Sequence, residues 1–249
     1  MCLIAIAHQV NRDKPLVVAA NRDEFWGRPA LPSHWWEEAP ILAGRDVERG
    51  GTWMGISKTG RFCALTNYRD PGEDGGEKRS RGHIVRSFLE SHLEAELFLK
   101  ELDRERNRYP GFNVIAGTAE ALWVYSSRSG SRPFRLPPGI HAISNAFLNT
   151  PWPKTVRIKK KMAQSMDSKE KLFSMLQDGR AAADEDLPNT GISLEWERLL
   201  SSIFIESAHY GTRCSTVLEV NSCKRAVWTE RTFTPGQPFE ERTFTFDFF

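Results

Sequence analysis

The apolar positions of this chain fall mostly in short runs of period two, broken in two places by stretches of helical spacing. The runs "CLIAIAHQV" and "LVVAANRDE", joined by the turn-like "NRDKP", predict a β-hairpin that begins at residue 2. A second pair, "TWMGIS" and "RFCALTN", flanks "KTG", a tight-turn sequence, so four strands are expected before residue 70. After the polar, Gly-rich loop "PGEDGGEKRS", apolar residues recur at helical spacing in "RGHIVRSFLES" and "EAELFLKELDRERN". Strand patterns return in "GFNVIAGT", "ALWVYSS" and "HAISNAF". From about Lys154 to Phe204 the spacing is helical again, interrupted by the acidic "AADEDLPNTG". The tail is β once more, and the echo of "ERTFT" at residues 230 to 234 and 241 to 245 reads as two similar strands rather than a solenoid repeat. The order β, α, β, α, β predicts a layered α+β domain over residues 1–249, with strands drawn from distant parts of the chain.

Composition narrows the function. Hydrophobic residues at 40% and charged residues at 27% are ordinary globular values, and the formal net charge is only +2. The one basic run, "RIKKKMAQSM", is short and reads as a solvated helix face, so no nucleic-acid partner is expected. The cysteines, Cys2, Cys63, Cys214 and Cys223, have no CxxC spacing and are read as reduced thiols. His8, His83, His141 and His209 have no metal-like spacing, so no metal site is expected. The opening is too short for a signal peptide and no apolar run approaches a membrane span, which together predict a cytoplasmic protein without stable membrane association.

The candidate chemistry starts at Cys2. Removal of Met1 would leave a residue carrying both a thiol and a free α-amino group. A thiol titrates at about 8.5 and an α-amino group near 7.7, so one residue would hold a nucleophile and the base that takes its proton. The other reading is a small buried hydrophobe in an edge strand, and a retained Met1 would block the amine.

The strings "MCLIAIA", "NRDE" at residues 21 to 24, "LAGRDVERGGTWMGIS", "ALTNYRDP", "ISNA" and "YGTRCSTVL" occur in order from residue 1 to about residue 220. Together they resemble the NRDE family, the transport and Golgi organisation protein 2 homologues. The resemblance implies the N-terminal nucleophile hydrolase fold, a four-layer αββα sandwich. Through the cysteine-nucleophile branch of that superfamily it implies Cys2 as nucleophile, Asp23 as the carboxylate near the α-amine and Asn67 as an oxyanion-side residue. Asn145 is similar to a second asparagine of that site, and Arg213 to a late arginine near the sulfur. The family pattern departs at Ala20, where those amidases carry an arginine; here Arg22 adjoins Asp23. Adjacent strand residues point to opposite faces, which sets Arg22 and Asp23 on different sides.

Asn21, Arg22, Trp53 and His209 are further binding candidates. Asn21 and Asp23 read equally as caps, Asn67 and Asn145 as turn residues, and Arg45, Asp46, Glu48 and Arg49 as surface ion pairs or a substrate-facing loop. Trp35, Trp36 and Trp53 read as pocket lining or core. The expected function is hydrolysis of a linear amide of a small acyl compound through an acyl-enzyme, without a cofactor. The alternative implied by the resemblance is a non-catalytic carrier that holds haem or an acyl-lipid metabolite in the same cleft. A role as a trafficking partner rests on the family name alone.

Overall fold

The computed structural model describes residues 2–72 and 78–249, so Met1 and the centre of the Gly-rich loop lie outside the described residues. Two antiparallel sheets lie face to face. The first has the order β10-β1-β2-β11-β12-β13, built from β1 (Cys2–His8), β2 (Leu16–Phe25), β10 (Gly139–Ile143), β11 (Tyr210–Val220), β12 (Arg225–Thr232) and β13 (Glu240–Asp247). The second runs β3 to β9 in chain order. Its strands are β3 (Ala30–Trp35), β4 (Ile41–Asp46), β5 (Met54–Ser57), β6 (Phe62–Asn67), β7 (Phe112–Gly117), β8 (Leu122–Ser126) and β9 (Phe134–Arg135).

Parity along the strands builds the layers. In β1, Ile4 and Ile6 enter the core between the sheets, where Met54, Ile56, Phe62 and Trp228 meet them. Leu3, Ala5 and Ala7 point the other way, under α3 (Pro153–Ala163) and α4 (Lys169–Leu176), against Ile158, Met162 and Phe173. The second sheet is covered by α1 (Gly82–Glu90) and α2 (Ala95–Arg104), through Ile84, Val85, Phe88 and Leu99. The result is the αββα sandwich of the N-terminal nucleophile hydrolase type. A shorter helix, α5 (Leu194–Leu200), joins Ile205 and Tyr210 in a small satellite core.

The first hairpin, the two helices after it and the β12–β13 pair all sit where the periodicity sets them. Six strands rather than four precede residue 70, because β3 and β4 carry Pro32 and frequent polar residues that hide the alternation. The "ERGGTW" segment has a steric explanation. A Cβ on Gly51 would lie 2.5 Å from the backbone carbon of Gly82, so the loop after β4 abuts the start of α1 backbone to backbone. Among the described residues no helix is long and apolar enough to cross a membrane.

Candidate active site

Cys2 heads β1 directly opposite Arg22 of β2, and Arg22 in turn faces Cys214 of β11. By parity Cys2 and Arg22 lie on the inter-sheet side, in line with Ile4 and Ala20, whereas Asn21 and Asp23 lie on the helix side. Asp23 follows Arg22 on β2, and its charge acts on the Cys2 thiol. Both groups reach one cleft at the open end of the sandwich, of about 280 Å³.

Arg22 is 6% exposed and lies 4.2 Å over the Trp53 ring, with Asp46 3.9 Å from its guanidinium. Its Nη1 makes no hydrogen bond among the described residues and is buried at the cleft wall. Gly44 makes this stack possible: a Cβ there would fall 2.3 Å from the Trp53 ring. Asp23 is fully buried and accepts a 2.8 Å hydrogen bond from the Thr212 hydroxyl. Burial raises its carboxyl, opposed by the charge of Lys154 and the Thr212 bond. Burial also pushes the Cys2 thiol up, Asp23 adds to the rise and Arg22 opposes it. The thiol is therefore held protonated and needs a base before it can attack.

Asn67 ends β6 and lines the cleft from the opposite sheet. Asn145 is buried behind it, donating from Nδ2 to the Asn67 carbonyl at 2.9 Å. The Ser144 hydroxyl donates to the Cys2 carbonyl at 3.0 Å, and the Asn113 amide reaches Thr66 Oγ1 and the Ala146 carbonyl. This polar seam fastens the Cys2 strand of one sheet to the Asn67 strand of the other.

Three expected residues sit elsewhere. Arg213 occupies the irregularity in β11 between Thr212 and Cys214, which releases it from the ladder. Its Nη1 donates to the carbonyls of Phe25, Trp26 and Arg28, and the side chain does not line the Cys2 cleft. The cation opposite Cys2 is Arg22 instead. Asn21 turns under the helices, donating to the Leu176 and Ile203 carbonyls and accepting from Ser215, which fixes the sheet to α4. His209 is exposed, and its carbonyl accepts the Trp26 amide. Of the tryptophans, Trp53 lines the cleft, Trp36 is buried under α1 and Trp35 packs on Phe246. The Arg45–Arg49 loop is divided: Arg45 pairs with Glu38 at 2.8 Å, while Asp46 and Arg49 line the cleft.

Charged groups crowd the cleft. The described lining residues include the bases Arg22, Arg28, Arg49, Lys78, Arg79 and Arg81, against the acids Asp23, Glu24 and Asp46. Tyr210 is buried with its phenol raised, by desolvation first and then by Asp23 and Cys2. Lys154, in the first turn of α3, is 2% exposed. The helical spacing of residues 154 to 163 marks it as one more surface lysine, and only its place behind prolines in "TPWPKT" sets it apart.

Residues 1–235 match the family model described as Transport and Golgi organisation 2. The chain is 33% identical to the Transport and Golgi organization 2 homolog of Mus musculus and 33% identical to that of Homo sapiens, each match covering 94% of this chain and 92% of the relative. The Drosophila melanogaster Transport and Golgi organization protein 2 is 26% identical, over 97% of this chain and 95% of its own. Among solved structures, a mutant of conjugated bile acid hydrolase from Clostridium perfringens superposes with a TM-score of 0.52 at 8% identity, covering 100% of this chain and 97% of that one. An N-acylethanolamine-hydrolyzing acid amidase ortholog from Caenorhabditis elegans gives 0.50 at 11% identity, over 88% and 92%. Both are N-terminal nucleophile hydrolases, and at these identities the likeness is one of fold.

Proposed function

The chain belongs to the Transport and Golgi organisation 2 family, and from that premise and the geometry at Cys2 we propose that it is an N-terminal cysteine hydrolase of linear amides that carry a negative charge. The observation that supports this reading above all is Cys2 at the head of β1, opposite a buried arginine and sharing its cleft with the buried Asp23 carboxylate.

After loss of Met1, the Cys2 α-amine takes the proton of its own thiol and the sulfur attacks the amide carbon. The carbonyl oxygen becomes an oxyanion within reach of donors that line the cleft, the free Nη1 of Arg22 and the amide of Asn67. Collapse transfers the proton from the α-ammonium to the departing amine and leaves a thioester on Cys2. Water then gives a proton to the same amine, attacks the thioester, and the acid departs as the thiol is restored. Asp23 holds the amine through both steps.

The excess of basic residues among the described lining residues favours a substrate bearing a carboxylate or phosphate. A carrier for haem or an acyl lipid calls for walls that are mainly apolar, and the charged lining here fits an anionic amide better. The test is to confirm Met1 removal by intact mass, then to incubate the protein with a panel of carboxylate- and phosphate-bearing amides. A Cys2 acyl adduct in the mass spectrum, with turnover lost in Cys2→Ala, supports the proposal. Turnover that survives Cys2→Ala sinks it.

A further inference from the structure

We propose that Lys154 is a positioning residue for the Cys2–Asp23 pair: a buried cation held on the helix side of Asp23, where it competes with the amino terminus for the same carboxylate and so keeps the α-amine free to act as base. This rests on the reading of Cys2 as an N-terminal nucleophile.

Lys154 breaks three local rules at once. It is 2% exposed, although lysine is seldom fully buried without a partner. Its Nζ has no hydrogen-bond partner among the described residues. It also places a cation in the first turn of α3, where the helix dipole disfavours positive charge. Local costs that accumulate on one side chain mark functional positions. The placement gives the reason. The helix α3 packs across β10 and β1, on the face of the first sheet to which Asp23 also points.

The groups that act on the Lys154 ammonium come from several elements. Asp23 on β2 and Cys2 on β1 favour its charge, as does Glu197 on α5, while Arg69 after β6 opposes it. Glu197 is already engaged by Arg69 at 2.7 Å and by the Thr190 amide and hydroxyl, which leaves Asp23 as the acid nearest to hand electrostatically. Burial brings the Lys154 ammonium down to about 8, so at neutral pH it is still charged.

Two cations that share one carboxylate raise the cost of protonating each other. With Lys154 charged, the Cys2 α-ammonium releases its proton to solvent at a lower pH than it would beside Asp23 alone, and the neutral amine is then present to receive the thiol proton. The same charge favours the thiolate directly. Above its own titration Lys154 loses this effect.

The experiment is the pH profile of Cys2 alkylation by iodoacetamide in Met1-free protein, read by intact mass, for wild type, Lys154→Met and Lys154→Arg. In Lys154→Met the midpoint moves up by about one pH unit, while Lys154→Arg keeps the wild-type midpoint. A Lys154→Met profile that coincides with wild type overturns the inference. If the methionine variant does not fold, the Cε signal of Lys154 is followed by NMR in wild type. Titration near 8 that shifts when Cys2 is alkylated supports the inference, and titration as an exposed amine, indifferent to Cys2, overturns it. The two levels separate cleanly. A retained Met1, or a wild-type Cys2 no faster than a free thiol, removes the nucleophile reading and this inference with it; a reactive Cys2 that ignores Lys154 removes the inference alone.

Discussion

Cys2 and Arg22 face each other across the β1–β2 ladder, so the arginine beside the sulfur comes from the neighbouring strand and its position is set by register alone. A one-residue slip of β2 would carry Arg22 under the helices and bring Asn21 to the cleft. The register is pinned by the alternating core contacts of Leu16, Val18 and Ala20 on one face and Val17 and Ala19 on the other.

Replacement of Arg22 by Met is expected to lower kcat/KM on a responsive amide by about a hundredfold, the usual cost of an oxyanion donor. Arg22 holds the Cys2 thiol down against burial, so alkylation at neutral pH also slows. Arg22→Lys restores little, because an ammonium cannot lie flat on Trp53 while presenting a second donor. Activity in Arg22→Lys close to wild type would show that only the charge matters.

Asp23→Asn separates reactivity from turnover. The carboxylate pushes the Cys2 thiol up, so the amide variant alkylates at least as fast as wild type at neutral pH. Turnover nonetheless drops by about two orders of magnitude, since the α-amine loses its anchor. Parallel loss of both in a folded protein would contradict these roles.

Gly44→Ala tests the Trp53 stack. The new methyl would need the space of the indole ring, which predicts a loss of about 1–3 kcal/mol in urea unfolding and altered tryptophan fluorescence. Gly27→Ala is the control, since a Cβ there meets nothing within 4 Å. Equal midpoints for the two variants would mean that Trp53 moves aside without cost.

Asp178 predicts an acid-sensitive element far from the cleft. Arg180, through hydrogen bonds at 3.0 Å, with Lys161 at 2.8 Å and Arg157 at 3.5 Å, holds its carboxyl well below the usual range. A depressed carboxyl stabilises the fold above its unfolded value of about 3.9 and loses that contribution as pH falls through the folded one. Asp178→Asn is therefore less stable than wild type at pH 7 by about 1–3 kcal/mol, with the gap narrowing below about pH 3.9. A gap that stays constant from pH 7 to acid would remove ionisation as the cause.

The hairpin at Cys2, the helices over residues 82–104 and the tail strands were legible because their burial is one-sided and so imprints a period. The strands β3 and β4 were not, because charged and proline residues interrupt them. Cys2, Asp23 and Asn67, singled out by motif position, line one cleft. The cation opposite Cys2 is Arg22 and not Arg213, which the ladder irregularity turns onto the Phe25 and Arg28 carbonyls, and no motif shows that. Lys154 was invisible, since a buried lysine and a surface lysine look alike in a helical pattern, and its meaning depends on Asp23, far away in sequence.

The seam through Ser144, Asn145 and Asn113 spans two sheets, and Cys2 stands on one while Asn67 stands on the other. The thickness of the hydrophobic layer between them thus works as a gauge block for the width of the cleft. Substitutions such as Ile4→Val or Met54→Leu, in the layer that backs Cys2 and Arg22, would retune the reach between the two walls, so variation deep in this layer can reshape the cleft while every residue lining it stays the same.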